Sequence, residues 1–211
     1  MIDFDHCVLH LSPRIVMGSY WPDLSRYKNN GRIYGAELRH GMLWFSGNLS
    51  YVDCGDDKSL MLDTNREYTV IVGIMTSHSG EQQMVVRHSG ENMFRFALSK
   101  TGKLIVVWYG DDGQWHSLRA GTTLINDGNY HLVGWRIKEN KVTGLVDGKE
   151  ERTNTLVSPA SNCDGKVEIA RGKGSTPSFI GYIGELLIYN IALSTEKFRI
   201  LYELTSPYGT H

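Results

Sequence analysis

Several features that define common protein classes are scarce in this chain of 211 residues. It has only 5 prolines and 3 cysteines, and an odd number of cysteines leaves at least one thiol unpaired. A scaffold built on disulfides does not fit this composition, so packing must stabilise the core. Because the three lie far apart without C-x-x-C spacing, we interpret Cys7, Cys54 and Cys163 as small buried residues.

The chain also lacks an excess of charge and any long apolar run. Its formal net charge is -1 and charged residues make up 21%, so no basic field is available to hold nucleic acid or an anionic membrane. No run approaches the roughly 18 apolar residues of a membrane span, and no signal peptide is recognisable at the start. We therefore expect a soluble module with no nucleic-acid partner and no membrane insertion.

Catalytic signatures are equally scarce. The motifs H-E-x-x-H, G-x-S-x-G and G-x-x-x-x-G-K do not occur. The adjacent acidic pairs Asp56-Asp57, Asp111-Asp112 and Glu150-Glu151 lie in predicted turns. Their side chains diverge, whereas the acid and the nucleophile of a glycoside hydrolase must project from the same face. We interpret them as solvated loop charge and predict that the protein is not an enzyme.

Glycine and turn signals, by contrast, are abundant. The chain has 23 glycines, and turn signals recur roughly every ten residues, as in proteins made of many short antiparallel strands. Alternating apolar residues predict half-buried strands at 68–74 and 94–98. The runs 104–109 and 183–189 are apolar at nearly every position, which is typical of central strands. The pattern predicts an all-β fold.

Two local patterns predict individual elements. Residues 129–151 read as a β-hairpin that ends in a second tight turn at Asp147-Gly148. Near the end of the chain, Ser194 is a candidate N-cap for a short helix. The apolar residues that this helix would pack against the fold are Phe198, Leu201 and Tyr202.

Four segments in order resemble one known family: residues 23–36, 43–62, 129–151 and 181–202. The first is similar to an opening loop of Asp, Ser, Asn and Gly, and the second to paired strands of the form F-x-G and Y-V. The third begins with an aromatic-His pair and ends in V-D-G, and the fourth reads as a closing strand, an A-L-S cap and a helix. These segments resemble laminin-G-like jelly rolls of the concanavalin A-like lectin/glucanase family.

The resemblance implies a fold and a domain organisation. We expect an all-β, concanavalin A-like jelly-roll β-sandwich of two antiparallel sheets with one short C-terminal helix. A single laminin-G-like domain would span residues 1–211, with a flexible tail from about residue 205.

Related jelly rolls often bind calcium, which prefers several hard oxygen ligands. By the resemblance, Asp23 and Asn29 in the opening loop would join Glu185 on the closing strand in one structural calcium site. Many relatives have an Asp where this chain has Gly184. The alternative is that Asp23 and Asn29 serve ordinary turns.

Sugar recognition needs an exposed aromatic face flanked by polar side chains that bond to hydroxyls. The segment 108–117 combines these groups around a predicted turn. The alternative is that its two tryptophans form a cross-strand pair that closes the core. The predicted ligand-binding residues of this segment are Trp108, Tyr109, Asp111, Gln114, Trp115 and His116.

Further polar and aromatic residues could extend such a site. Alternation places Arg87 and Arg95 on a polar sheet face, with Gln83 on the same side, and the alternative is a face that is merely solvated. In the opening loop, Tyr20 and Trp21 form either an exposed platform or a plug over one end of the sandwich.

Our leading hypothesis is a non-catalytic, lectin-like domain that binds a glycan or glycoprotein surface. The resemblance suggests an adhesion module of a virion or of a larger, extracellular-facing surface protein, and the localisation stays open. One alternative is a structural or assembly protein of a virus particle that binds protein neighbours or further copies of itself. Another is a glycoside hydrolase or lyase of the same fold, which requires a carboxylate pair that the sequence does not reveal.

Overall fold

The structure, a computed structural model, describes residues 4–47, 49–61, 66–89, 92–160, 165–172 and 177–206, without the side chains of residues 88, 89 and 92. Within these ranges the chain forms sixteen strands, one α-helix and two 3-10 turns. All paired strands run antiparallel, in two sheets. The predicted all-β class is confirmed.

The elements follow one another with short connections. In chain order they are β1 (Cys7–Leu11), β2 (Tyr20–Trp21), β3 (Gly31–Tyr34), β4 (Glu37–Arg39), β5 (Met42–Ser46), β6 (Tyr51–Asp53), β7 (Tyr68–Met75), β8 (Gln82–Ser89), β9 (Asn92–Leu98), β10 (Leu104–Tyr109), β11 (Trp115–Arg119), β12 (Tyr130–Lys138), β13 (Lys141–Val146), β14 (Lys149–Thr155), β15 (Lys166–Ile169), β16 (Ile180–Tyr189) and α1 (Thr195–Thr205). The 3-10 turns span Pro13–Ile15 and Lys58–Leu60.

The strands divide into two sheets of eight within the described part of the chain. Sheet A has the order β14-β13-β12-β7-β16-β5-β4, and β1 pairs with the C-terminal half of β16. Sheet B has the order β11-β10-β9-β8-β15-β6-β3-β2. Each sheet contains strands from both the beginning and the middle of the chain, so the sandwich forms only when distant segments pair.

The main core lies between the inner faces of the two sheets. On β7 the inward side chains include Tyr68 and Val72, which are buried, and on β9 they include Phe96. The ring centroid of Phe96 lies 5.1 Å from that of Trp135 on β12, so aromatic contacts join the sheets. Strand alternation therefore predicted the inner faces correctly.

The helix explains one difference from the predicted pattern. Strand β7 is buried on both faces, although its sequence alternates like that of a half-buried strand. Helix α1 lies on the outer face of sheet A, where Phe198 and Leu201 pack in a cluster with Ile71. The predicted N-cap is confirmed, because the Ser194 hydroxyl oxygen accepts a hydrogen bond from the Lys197 backbone N–H at 3.2 Å.

The hairpin between β12 and β13 is confirmed as well. Its two turn residues, Glu139 and Asn140, have φ values of 48° and 58°, as a two-residue type I′ turn requires. The next turn, at Asp147 and Gly148, has φ values of 48° and 80°. Glycine suits the second position because it adopts positive φ without steric cost.

The cysteines in the described ranges behave as the sequence predicts. Cys7 and Cys54 are buried and form no disulfide bond, and burial raises the pKa of the Cys54 thiol. Cys163, the residues from 207 onward and hence most of the predicted flexible tail lie outside the described residues. Within those residues, no helix is long and apolar enough to cross a membrane.

Candidate functional site

The candidate sugar site lies on the hairpin of β10 and β11, at one edge of sheet B. In its register Trp108 pairs with His116, and Tyr109 pairs with Trp115. Since neighbouring residues of a strand point to opposite faces, the first pair faces the core and the second faces outward. The strand register thus divides the predicted ligand-binding residues into two sets.

Trp108 belongs to the core, which corrects its predicted contact with a ligand. Its side chain has an exposed fraction of 0%, and its indole N–H donates a hydrogen bond to the Ser158 carbonyl oxygen at 2.9 Å. Its ring stacks on His116, with 5.1 Å between centroids. The alternative, a packing pair of Trp108 with Trp115, is wrong as well, because these side chains lie on opposite faces of the sheet.

The imidazole of His116 forms a hydrogen bond with a neighbouring carboxylate. Its Nε2 lies 3.0 Å from each carboxylate oxygen of Asp112, and this hydrogen bond lowers the pKa of Asp112. His116 therefore supports the tryptophan ring from the turn side. The contact gives it a structural role in place of the predicted one in ligand binding.

Trp115, by contrast, offers an accessible aromatic surface. It is 49% exposed, and the ring of Tyr109 meets it edge to face at 5.4 Å. The guanidinium carbon of Arg95, on neighbouring strand β9, lies 4.9 Å from the centroid of the indole ring. A cation held against the ring in this way fixes its orientation.

Arg87 and Arg95 lie on opposite faces of sheet B, although they were predicted to share one face. Arg95 pairs with Val86, whereas Arg87 pairs with the inward-facing Phe94. Arg87 therefore points inward, where it is 1% exposed and donates a hydrogen bond to the Leu60 carbonyl oxygen. The prediction failed because alternation fixes the relative sides of residues on one strand, but not the register between strands.

Arg95 combines burial with unsatisfied donors. It is 6% exposed, and its buried Nε and Nη1 have no hydrogen-bond partner in the described part of the chain. Burial lowers its pKa. Gln83 is also buried on this sheet, where its side-chain nitrogen donates a hydrogen bond to a Glu81 carboxylate oxygen at 3.1 Å.

Asp111 and Gln114 complete the outer edge of the hairpin. Both are exposed. Their backbones are fixed, because the Gly110 N–H donates to the Gln114 carbonyl at 2.9 Å and the Asp111 N–H donates to the Pro159 carbonyl at 3.0 Å. We call Trp115, the two residues that contact its ring and these two exposed turn residues the Trp115 platform. It consists of Trp115, Tyr109, Arg95, Asp111 and Gln114.

The opening loop contains one buried and one exposed aromatic residue. Trp21 has an exposed fraction of 0% and packs in the core, so it acts as the plug. Tyr20 is 53% exposed on β2, at the edge of sheet B opposite the Trp115 platform. The two predicted alternatives therefore apply to different residues.

The proposed calcium ligands have other partners. The Asp23 carboxylate accepts hydrogen bonds from three backbone N–H groups, those of His10, Ser25 and Asn29, and from the Ser25 hydroxyl. The Asn29 amide nitrogen donates to the Val8 carbonyl oxygen at 2.9 Å. In the described ranges no group of three His, Cys, Asp or Glu residues is placed to hold a metal ion.

Glu185 is likewise engaged. Its carboxylate accepts a hydrogen bond from the Ser12 hydroxyl at 2.7 Å and lies 3.1 Å from Nε2 of His10. These contacts tie β16 to the start of the chain, and they favour the interpretation of Asp23 and Asn29 as turn residues. Calcium binding by the three residues stays a prediction.

The adjacent acidic pairs also have local partners. Glu150 accepts hydrogen bonds from Arg136 and Thr195, and Glu151 accepts them from the backbone N–H groups of Thr122 and Thr123. The carboxylate of Asp57 caps the 3-10 turn at Lys58–Leu60. These contacts give the carboxylates structural roles.

Sequence reasoning missed one pair of rings on sheet A. Trp44 on β5 and Tyr182 on β16 are register partners whose centroids lie 4.8 Å apart. Both are half-buried, whereas the neighbours of Trp44, Leu43 and Phe45, are buried. Alternation in the segment MLWFS was the available signal, because it places Trp44 opposite the two core residues.

Two facing antiparallel sheets, closed by a short helix, define an all-β sandwich of the lectin type. The family model described as the concanavalin A-like lectin/glucanases superfamily, of laminin G type, matches residues 46–197. The chain belongs to this superfamily, as the sequence segments predicted. A comparison with curated protein sequences found no match.

Solved structures share the fold at low sequence identity. The binding domain of Paraclostridial Mosquitocidal Protein 1 has a TM-score of 0.75 and 14% identity, over 95% of this chain and 52% of that one. The binding domain of botulinum neurotoxin serotype D has a TM-score of 0.69 and 13% identity, over 95% and 51%. This chain therefore spans about half the length of these toxin domains.

An enzyme also shares the fold. Trypanosoma rangeli sialidase, solved in complex with sialic acid, has a TM-score of 0.71 and 17% identity, over 95% of this chain and 33% of the sialidase. The fold alone therefore does not separate a binding domain from part of an enzyme.

Proposed function

We propose that this domain is a non-catalytic, lectin-like module that binds glycan through the Trp115 platform. The observation that carries the proposal is the half-exposed ring of Trp115, held by the guanidinium of Arg95 at 4.9 Å. A rigid, accessible aromatic face stacks on the C–H surface of a pyranose ring. Asp111 and Gln114, in the adjoining turn, are exposed, and their carboxylate and amide groups can bond to sugar hydroxyls.

The fold and its relatives support a role in binding. The chain belongs to a superfamily named for lectins and glucanases, and two of its structural relatives are the binding domains of toxins. One or both carboxylates of each acidic pair have structural partners, which argues against a pair of catalytic carboxylates there. The proposed partner is a glycan-bearing surface, reached by an adhesion module of a virion or of a larger surface protein.

A glycan array combined with two matched variants tests the proposal. We expect the domain to bind a defined set of glycans, and we expect Trp115→Ala to weaken that binding by roughly tenfold or more, because aromatic residues dominate binding surfaces. Tyr20→Ala is the control. It removes an exposed aromatic side chain at the opposite edge of the same sheet, so it should leave binding unchanged.

Other outcomes would contradict the proposal. An array without binding would exclude a lectin, and self-association in the same preparation would favour an assembly protein. Binding that survives Trp115→Ala but is lost in Tyr20→Ala would place the site at the other edge of sheet B. Release of free sugar from a bound glycan would show an enzyme.

A further inference from the structure

A groove on the outer face of sheet A lies on the opposite side of the sandwich from the Trp115 platform. Its volume is about 390 Å³, within the usual range of small-molecule sites. Trp44 and Tyr182 line one side, and Met75, the register partner of Tyr182 on β7, lies beside them. All three side chains are half-buried, so each offers part of its apolar surface to the groove.

The other side is formed by the loop after β7, and its backbone is fixed by several hydrogen bonds. The Thr76 hydroxyl donates to the Ile180 carbonyl oxygen at 2.7 Å and accepts from the His78 N–H at 3.1 Å. The His78 carbonyl accepts from the Gln82 side-chain amide at 3.1 Å. The Gly128 N–H donates to the Thr76 carbonyl at 3.0 Å. The loop is thus held in one conformation before any ligand binds.

The side chains of the loop after β7 are free to form hydrogen bonds with a ligand. Ser77, His78 and Ser79 are exposed, line the groove, and make no side-chain hydrogen bond to any described residue. Two hydroxyls and an imidazole can both donate and accept hydrogen bonds. The lining residues include no Asp, Glu, Lys or Arg. The Arg39 guanidinium lies 5.7 Å from the centroid of the Trp44 ring, and it is paired with the Glu37 carboxylate. The groove therefore combines aromatic walls with polar groups that carry no fixed charge.

We infer that this groove, which we call the sheet A groove, is a second binding site whose ligand is an uncharged pyranoside. The rings of Trp44 and Tyr182 would stack on the apolar C–H face of the sugar. The hydroxyls of Ser77 and Ser79 and the imidazole of His78 would bond to sugar hydroxyls. A fixed loop keeps the ordering cost of binding low. The inference uses none of the residues of the Trp115 platform.

Methionine methyl NMR measures occupancy of the groove directly. Protein labelled with ¹³C at the methionine methyl groups is titrated to tens of millimolar with methyl α-glucoside, methyl α-mannoside, methyl β-galactoside and N-acetylglucosamine. We expect at least one of these sugars to shift the Met75 signal in a saturable way. We expect the negatively charged sugar glucuronate to bind more weakly, because the guanidinium of Arg39, 5.7 Å from the Trp44 ring centroid, already donates hydrogen bonds to the Glu37 carboxylate.

Matched variants assign the site. Trp44→Ala should weaken binding of the sugar about tenfold or more, and Ser79→Ala should weaken it severalfold. Trp115→Ala and Ser117→Ala, which remove exposed side chains on sheet B, should leave the Met75 titration unchanged. A thermal melt shows whether each variant is folded. If Trp44→Ala unfolds, Ser79→Ala against Ser117→Ala still decides the result.

The inference is overturned if none of the four sugars shifts the Met75 signal, if the shift survives Trp44→Ala in a folded protein, or if glucuronate binds as tightly. These results are separable from the test of the Trp115 platform. Array binding that depends on Trp115, with a silent Met75 signal, would refute only the sheet A groove. If the Met75 signal titrates equally in the native protein and in Trp115→Ala, and the array shows no binding that depends on Trp115, only the platform is refuted.

Discussion

Two tryptophans on one hairpin show how strongly a single position decides the role of a residue. Trp108 and Trp115 lie on either side of one turn, at the end of β10 and at the start of β11. Both were predicted to contact a ligand or, alternatively, to pack together. The register of β10 with β11 places one in the core and leaves the other 49% exposed. Sequence could not separate them, because a shift of one residue in one strand would move its tryptophan to the other face.

The two tryptophans should therefore differ in their effect on stability. We expect Trp108→Ala to lower the free energy of unfolding by about 3–5 kcal/mol, since it empties a packed site and removes the partner of the Ser158 carbonyl. Trp115→Ala should lower it by less than about 1 kcal/mol, as is usual for exposed positions. Urea unfolding measures both. Equal losses in the two variants would contradict the assignment of Trp115 to the surface.

At the scale of elements, the hairpin of β12 and β13 is held at its open end by a histidine between two carboxylates. Nδ1 of His131 lies 2.7 Å from Oδ2 of Asp147, and its Nε2 lies 3.2 Å from Oδ1 of Asp127. The other oxygen of Asp147 accepts a hydrogen bond from the Leu132 N–H at 3.0 Å. Ionised carboxylates only accept hydrogen bonds, so this arrangement favours a doubly protonated imidazolium.

This contact makes the stability of the hairpin depend on pH. The hydrogen bond with Asp147 raises the pKa of His131 above its ordinary value, against the opposing effect of burial. The stabilisation is therefore fully present below about pH 6.5, where the unfolded histidine is also protonated, and is lost as the pH rises through the folded pKa. We expect the Tm difference between the native protein and His131→Gln to shrink as the pH rises from 6 towards 9.

A matched variant isolates this effect from the other histidines. His40 is exposed and has no acidic partner among the described residues, so His40→Gln is the control for the loss of an imidazole that contacts no carboxylate. If the curves of the native protein and His131→Gln stay parallel over the whole range, the histidine contributes no pH-dependent stability.

At the scale of the whole molecule, sequence predicted the architecture better than the site. The turn at Asp147-Gly148, the cap at Ser194 and the family segments rest on local patterns, and local patterns survive folding. The pairing of Trp44 with Tyr182 joins strands that are far apart in the chain. Burial of Arg87 likewise depends on how β8 pairs with β9. The register between two strands has no signature in either strand alone, whether the strands are distant or, like β8 and β9, consecutive, so the site residues were predicted only in part.

The predicted calcium site also belongs to this scale, because an ion that binds only the folded state stabilises the whole domain. A structural ion at a concentration of 100 times its Kd would add about 2.7 kcal/mol to the free energy of unfolding. To bind it, Asp23 would have to release donors that its carboxylate now accepts from the His10, Ser25 and Asn29 backbones. We therefore expect the Tm to be the same in millimolar calcium and in excess chelator.

Asp23→Asn separates the two roles of this carboxylate. The substitution keeps the size of the side chain but removes its charge and half of its capacity to accept hydrogen bonds. If Asp23 only organises the opening loop, the variant should melt at a lower temperature by the same amount with calcium and with chelator. A Tm that calcium raises in the native protein, and no longer raises in Asp23→Asn, would instead establish the site that the family resemblance implies, and the opening loop would have to rearrange around the ion.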